Sequence, residues 1–242
     1  QITDGVCEAH TGYLTEPYAD DPSTCGEPAI GREDLLAMVE EADACGFSVR
    51  LHAIGNGAVK QALDCFEEVR RRHGPKGLRH TIEHIETCCH EDIGRFARLG
   101  VMPSMQPIHA VLNVAGYPRL LGEKWRPLMW PTRSLIESGA IVAFGTDAPV
   151  WNLNPMEGIY AAVTRRQPWD GLPEDGFVPE QCITLAQAIQ AYTYGSACAE
   201  GFEDRIGTLE AGKLADIVVM DRNLFAIPVE DLREARPLYT IV

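Results

Sequence analysis

Two histidines and one aspartate occupy equivalent places in the pattern of predicted strands. His52 comes late in one apolar run and His84 late in the next, while Asp147 follows the apolar run at 140–144 and is barred from helix by Pro149. The carboxyl ends of parallel strands meet at one edge of a sheet, so these three side chains are expected to converge. Neutral imidazoles and a carboxylate suit a divalent cation, zinc best of all, with manganese, iron or nickel as alternatives. The spacing therefore predicts a metal site.

The elements that must position these residues alternate between strand and helix. Such alternation predicts an α/β fold with a parallel sheet and right-handed crossovers. The first 31 residues lack a sustained period and are predicted to form a long loop, whereas the tail from residue 206 has the short strands and glycine turns of a small β appendage. Strands are predicted at 47–54, 78–85, 101–107 and 140–147, and helices at 32–45, 58–72, 91–99, 132–138, 156–166 and 185–199.

Side-chain alternation along the second strand separates the residues around His84. His80, Ile82 and His84 are predicted to share one side, which leaves Glu83 facing the covering helices. His80 lies deeper than His84 and is a candidate for orienting a metal ligand. The competing interpretation is that His52 and His84 are two unrelated strand-end histidines whose hydrogen bonds are satisfied within the fold, and that His80 is a packing residue.

Two further residues are candidates for contact with a substrate. His109 lies on the loop that leaves the third strand, and Trp151 follows Asp147 closely enough to form the wall of a pocket. A solvated loop histidine and ordinary packing of the tryptophan are the alternatives. The sequence thus predicts a small-molecule substrate held between loops at the sheet edge.

Composition excludes several classes of protein. The 242 residues carry a net charge of −14, which argues against nucleic acid as a partner. No apolar run reaches the roughly 20 residues needed to cross a bilayer, so no membrane association is expected. The eight cysteines contain no Cys-x-x-Cys pair and are interpreted as reduced thiols. A soluble cytoplasmic protein is the expectation.

Several motifs in this order resemble the amidohydrolase superfamily of metal-dependent hydrolases. The likeness is to amidohydrolase family 3, in the branch that contains N-substituted formamide deformylase-like proteins. The motifs are Leu51-His52-Ala53-Ile54-Gly55-Asn56, Ile82-Glu83-His84, Ser104-Met105-Gln106-Pro107, Phe144-Gly145-Thr146-Asp147-Ala148-Pro149 and the tail Gly207-Thr208-Leu209-Glu210-Ala211-Gly212-Lys213-Leu214-Ala215-Asp216-Ile217-Val218-Val219.

The resemblance implies a fold and a division of roles. Residues 1–202 would form the C-terminal half of a TIM-type (β/α)₈ barrel, strands five to eight, and residues 203–242 part of a small β-sandwich. His52 and His84 would bind metal, and Asp147 would both bind metal and accept the proton of the attacking water. Asn56 stands where relatives often carry aspartate beside the metal ligands. The implied activity is hydrolysis of a C–N bond in an amide or formamide-like substrate.

The sequence also departs from that family pattern. It has no His-x-His pair, and no bridging lysine of the fourth strand is evident. We therefore expect a fragment of a longer enzyme, inactive alone, that self-associates or pairs with an N-terminal half to cover the open sheet edges. Two alternatives stay open: a non-catalytic regulatory or scaffold protein on the same fold, and a barrel hydrolase that uses Asp147 without metal.

Overall fold

The computed structural model describes residues 1–242 as an α/β fold with a parallel sheet. The sheet has the order β1-β2-β3-β4, and each crossover between neighbouring strands contains helix, as the alternating pattern predicts. No helix is both long and apolar enough to cross a bilayer. The strands are β1 (Arg50–Ala53), β2 (Thr81–His84), β3 (Met102–Met105), β4 (Ala143–Phe144), β5 (Ile217–Met220) and β6 (Pro237–Ile241). The helices are α1 (Arg32–Ala44), α2 (Asn56–His73), α3 (His90–Leu99), α4 (Gly116–Leu121), α5 (Thr132–Glu137), α6 (Pro155–Thr164), α7 (Leu185–Gln190) and α8 (Ser196–Glu200).

Strand register corrects the predicted orientation of Glu83. His52 lies opposite Glu83 in the β1–β2 ladder, and parallel partners direct their side chains to the same face. Glu83 accordingly lies 3.3 Å from Arg50, which shares the face of His52, while His80 stacks on Phe66 of α2. Glu83 and His80 lie on opposite faces, as predicted, but α2 covers the side of His80. The prediction that Glu83 faces the helices is wrong because His84, whose left-handed backbone leaves the strand alternation, does not share the side of His80 and Ile82.

The predicted fourth strand is also shorter than its apolar run. Regular pairing covers only Ala143 and Phe144 against β3, and the backbone N–H of Gly145 then donates to the carbonyl of Met105 at 3.1 Å. Asp147 therefore lies three residues beyond the strand, in a turn where its φ is 58°. The backbone of a turn can direct a side chain in more ways than the end of a strand can. The direction of the Asp147 carboxylate therefore depends on the conformation of this loop.

The predicted helix at 185–199 is interrupted by one π-helical stretch, Ala191–Gly195, between α7 and α8. Gly195 lies so close to β4 that an added Cβ would collide with the carbonyl oxygen of Val142. The hydroxyl of Ser196 donates to the carbonyls of Phe144 (2.9 Å) and Ala191 (3.1 Å). The irregular turn therefore lets the helix approach the edge strand closely and join it by side-chain hydrogen bonds.

The tail contains one antiparallel ribbon instead of the several short strands predicted. Strands β5 and β6 pair with each other, whereas the segment from Ile206 to Lys213 forms turns. Gly207 and Gly212 have φ of 91° and 98°, a conformation that favours glycine and that ends extended structure. The assignment of 203–242 to a separate sandwich unit stays a prediction.

A buried arginine joins three segments outside the sheet. Arg165 is 2% exposed and donates to the carbonyls of Phe177 (2.8 Å), Met129 (3.1 Å) and Trp130 (3.3 Å). No carboxylate contacts it, and burial lowers the pKa of its guanidinium to about 10. The backbone carbonyls therefore provide the compensation that a buried cation needs.

We expect Arg165→Met to lower the free energy of unfolding by about 2–4 kcal/mol, because three carbonyl groups lose their hydrogen-bond donor. Urea denaturation monitored by tryptophan fluorescence measures the loss. Arg119→Met, at an exposed arginine, serves as the matched control and should change stability by less than about 0.5 kcal/mol. Equal effects of the two substitutions would contradict the structural role of Arg165.

Candidate metal centre

Three potential ligands meet at the carboxyl edge of the parallel sheet. His84, His109 and Asp147 each offer one ligand atom, and these atoms lie within 4.8 Å of one another. The ring of His52 stands edge-on to that of His84, with centroids 4.6 Å apart, and the ring of His109 stacks on His84 at 6.1 Å. Two imidazoles and a carboxylate from three separate segments of the chain therefore converge, and the imidazole of His52 lies beside His84.

Local backbone geometry turns the ligands toward each other. His84 ends β2 with a φ of 75°, a left-handed conformation that is uncommon outside glycine. That conformation reverses the strand alternation, so His84 returns to the face of His52 while Ile82 stays buried under the helices. His109 begins the 3₁₀ turn His109–Val111 that follows β3. Strained residues of this kind cluster at functional sites, where the surrounding fold holds them in place.

Burial keeps two of these imidazoles neutral. Desolvation, reinforced by the neighbouring His52, lowers the pKa of His84 to about 4 despite the opposing charge of Asp147. Desolvation likewise lowers the pKa of His109 below its usual range. A neutral imidazole offers a lone pair, which is the form that a metal ion requires.

The donor set fits a divalent metal. His109 Nε2 is shielded from solvent and has no hydrogen-bond partner, which is costly unless another group uses its lone pair. Imidazole nitrogens with one carboxylate oxygen are the ligands that zinc and related transition metals prefer. The residues placed to hold such an ion are His84, His109 and Asp147, with His52 adjacent.

His109 and His52 differ from their predicted places. The sequence predicted His52 as a ligand and His109 as a substrate contact, yet His109 is grouped with the ligand atoms and His52 stands beside His84. Sequence spacing gave little signal for His109, since it lies on a loop whose path depends on tertiary packing. The assignment of either histidine to metal or to substrate stays a prediction.

The sequence did not identify two buried residues as contacts of the candidate histidines. Asp4 is fully buried in the predicted loop, where it accepts backbone hydrogen bonds from Tyr13, Ile54 and Gly55, and its Oδ1 lies 3.4 Å from His52 Nδ1. Gln106 Oε1 lies 2.8 Å from His84 Nδ1. Gln106 was recognised only as part of a motif, and nothing in the spacing of Asp4 from His52 indicated their contact.

The hydrogen-bond partners of the remaining candidates are residues outside this ligand cluster. Asn56 begins α2 and accepts a hydrogen bond from the backbone of Thr15 at 2.9 Å. Trp151 donates to Glu157 at 2.7 Å, and its ring lies 6.0 Å from that of Trp169. These contacts explain the packing of both residues, and their roles beside a metal or substrate stay predictions.

His80 belongs to a different polar cluster, centred on Asp43. The Asp43 carboxylate is 4% exposed and lies 2.6 Å from His73, 2.8 Å from Lys76 and 3.5 Å from His80. His80 also accepts a backbone hydrogen bond from Val49 at 3.0 Å. These contacts give His80 a structural role between α1, α2 and the start of β2, and its role in orienting a ligand stays a prediction.

This second cluster predicts a pH-dependent stability. Burial opposes ionisation of Asp43, but hydrogen bonds from Lys76 and His73 outweigh it and hold the pKa of the carboxyl below its usual range. A depressed pKa contributes stability that is present above the unfolded value of about 3.9 and is lost as the pH falls through the folded value.

We therefore expect Asp43→Asn to destabilise the chain at neutral pH by an amount that shrinks below about pH 4. Urea unfolding across a pH series measures it, with the exposed Asp216→Asn as control. A difference between Asp43→Asn and wild type that stays constant from neutral to acid pH would contradict this assignment.

An open cleft lies beside the ligand cluster. Its volume is about 410 Å³, and its lining includes His84, Gln106, Asp147, Arg50 and Glu200. Arg50 Nη2 and Glu200 Oε1 are 2.6 Å apart, so the two charges pair with each other. The cleft provides access for a small molecule to the ligand cluster.

Comparison with known proteins supports a hydrolase family. The model of the amidohydrolase family matches residues 2–242. The chain is 32% identical over 222 residues to Protein LONG AFTER FAR-RED 3 of Arabidopsis thaliana, covering 91% of this chain and 37% of that protein. It is 30% identical over 246 residues to N-substituted formamide deformylase of Arthrobacter pascens, covering 100% of this chain and 41% of that protein.

A solved structure shows the same architecture. An uncharacterized metal-dependent hydrolase from Pyrococcus horikoshii OT3 superposes with a TM-score of 0.83 at 31% identity, covering 94% of this chain and 45% of that one. The chain thus spans less than half the length of each of these relatives. The match over almost the whole chain confirms the resemblance inferred from the motifs, and the protein belongs to the amidohydrolase family.

Proposed function

We propose that the protein containing this chain is a zinc-dependent amidohydrolase that cleaves a C–N bond in a small amide or formamide-like substrate. The observation that carries the proposal is the convergence of His84, His109 and Asp147 ligand atoms within 4.8 Å. Membership of the amidohydrolase family supports the reaction class, and the similarity to N-substituted formamide deformylase supports the substrate class.

The chemistry follows from the residues present. A bound divalent cation supplies Lewis-acid polarisation of a carbonyl and makes a water easier to deprotonate. Asp147 is exposed to the cleft, so its carboxylate is available to accept the proton of the attacking water. Oxygen then adds to the carbonyl carbon, the C–N bond breaks, and the nitrogen leaves as an amine carrying the transferred proton. The neutral His84 and His109, together with Asp147, would hold the metal, with His52 beside them.

The test is metal analysis of the full-length protein. We expect stoichiometric zinc by elemental analysis, loss of hydrolysis on dialysis against a chelator and recovery on adding zinc back. His84→Ala should remove the metal, whereas His90→Ala, at an exposed histidine, should retain it. A full-length protein that is free of metal yet functional would favour a regulatory or scaffold role instead.

We also propose that the isolated chain forms half of a barrel and self-associates. Strand β4 pairs only with β3 inside the sheet, which leaves an open edge. The ribbon β5–β6 carries apolar side chains that are half or more exposed, among them Val218 (56%), Leu238 (60%) and Tyr239 (66%). Open edges and exposed apolar ribbons favour association.

Size-exclusion chromatography with light scattering should therefore give a mass for the chain at a multiple of 26.6 kDa. Tyr239→Lys is expected to shift the distribution toward monomer, because a charge on the ribbon resists burial. A cooperatively folded monomer at all concentrations would contradict the proposal.

A further inference from the structure

Gln106, which follows β3, links the metal-ligand candidate His84 to the carboxylate of the preceding residue, Glu83. Its Oε1 lies 2.8 Å from His84 Nδ1, and its Nε2 lies 3.4 Å from Glu83 Oε2. Gln106 is 5% exposed, so water does not compete freely for these bonds. Burial raises the pKa of the Glu83 carboxyl, and Arg50, 3.3 Å away, opposes that rise. Hydrogen bonds therefore join the side chains of Glu83, Gln106 and His84 in series, and the series ends at the ligand cluster.

The hydrogen-bond donors and acceptors of these three side chains have one consistent arrangement. The amide Nε2 of Gln106 donates to Glu83 Oε2, which leaves the amide Oε1 facing His84 Nδ1. The amide oxygen is then turned toward His84, and since an amide oxygen only accepts, His84 Nδ1 must carry the proton. A neutral imidazole with its proton on Nδ1 has its lone pair on Nε2.

We propose that Gln106 is a positioning residue, which fixes the His84 tautomer and ring orientation so that Nε2 is the nitrogen available to the metal. The expected effect on metal binding rests on the proposed metal site, whereas the His84 tautomer can be measured in the chain without metal. Groups that fix a ligating histidine in this way change metal affinity by roughly 10–100-fold when removed.

The experiment is nitrogen-15 NMR of histidine-labelled chain without metal, at mildly alkaline pH, with His84 assigned from a His84→Gln sample. In the wild type, we expect His84 Nδ1 to resonate as a protonated ring nitrogen and Nε2 as an unprotonated one. Gln106→Leu should give a mixture of tautomers, while Gln106→Glu, which keeps an acceptor, should preserve the wild-type pattern. The matched control is Gln61→Leu, because buried Gln61 donates to the Ile30 carbonyl far from His84 in the hydrogen-bond network.

Zinc titration of the same variants in the full-length protein, against a competing chelator, gives the second readout. We expect Gln106→Leu to weaken zinc binding by about 10–100-fold and Gln61→Leu to leave it unchanged. A His84 tautomer that is Nε2-protonated in the wild type, or unchanged in Gln106→Leu, overturns the positioning role. Failure of the wild type to bind zinc, with the tautomer shift intact, overturns the metal site while upholding the role of Gln106.

Discussion

Asp147→Asn is expected to reduce hydrolysis by the full-length protein by about 100- to 10,000-fold, the range typical of a lost proton acceptor. The substitution keeps the shape of the side chain but removes its charge, so the attacking water loses its base and the metal loses an anionic ligand. Because Asp147 is exposed in a turn after β4, the folded structure should persist. Steady-state kinetics on a formamide substrate measure the loss.

The control for this prediction is Asp216→Asn, which makes the same chemical change at an exposed aspartate in the tail. It should leave both the rate and the zinc content at wild-type values. Thermal unfolding of the two variants separates loss of catalysis from loss of fold. Full activity in a correctly folded Asp147→Asn protein would remove Asp147 from the mechanism.

The largest expected effect on stability comes from Asp4→Ala, at about 3–5 kcal/mol. Asp4 is fully buried and accepts hydrogen bonds from the backbone N–H groups of Tyr13 (2.9 Å), Ile54 (3.0 Å) and Gly55 (2.8 Å). Alanine leaves all three donors without a partner. These bonds also join the N-terminal segment to the end of β1, and Ile2 forms a parallel bridge with His52.

Urea denaturation gives the free energy of unfolding for this series. Asp4→Asn keeps one accepting oxygen and should lose about half as much stability as Asp4→Ala. Asp216→Ala supplies the exposed control, with an expected change within about 0.5 kcal/mol. If Asp4→Ala behaves like that control, the N-terminal segment is not held by this carboxylate.

Hydrophobic periodicity was sufficient to predict most of the sheet. Alternating runs with helical and extended periods predicted four strands and the helices between them, and the parallel order is as expected. Element ends were less predictable, since the apolar run before Asp147 starts at Ala140, three residues before pairing with β3 begins at Ala143. Periodicity reports burial, whereas strand length depends on the neighbour available for hydrogen bonding.

The left-handed backbone of His84 could not be read from the sequence. Its φ of 75° reverses the alternation, and the error over Glu83 follows directly from that one residue. Nothing in the local sequence requires a histidine to adopt this conformation. The surrounding contacts decide it, among them the hydrogen bond to Gln106 and the packing of the His52 ring.

The sequence by itself determined the fold class, the family and the placement of His52, His84 and Asp147 near the ends of strands, because residue type and period are local properties. Only the tertiary structure decided that His109 lies with the candidate ligand atoms of His84 and Asp147, that Asp4 reaches His52 and that Gln106 reaches His84. Those contacts join residues from separate loops and strands. Their geometry depends on how the strands cross and the loops turn, which no local pattern of residues encodes.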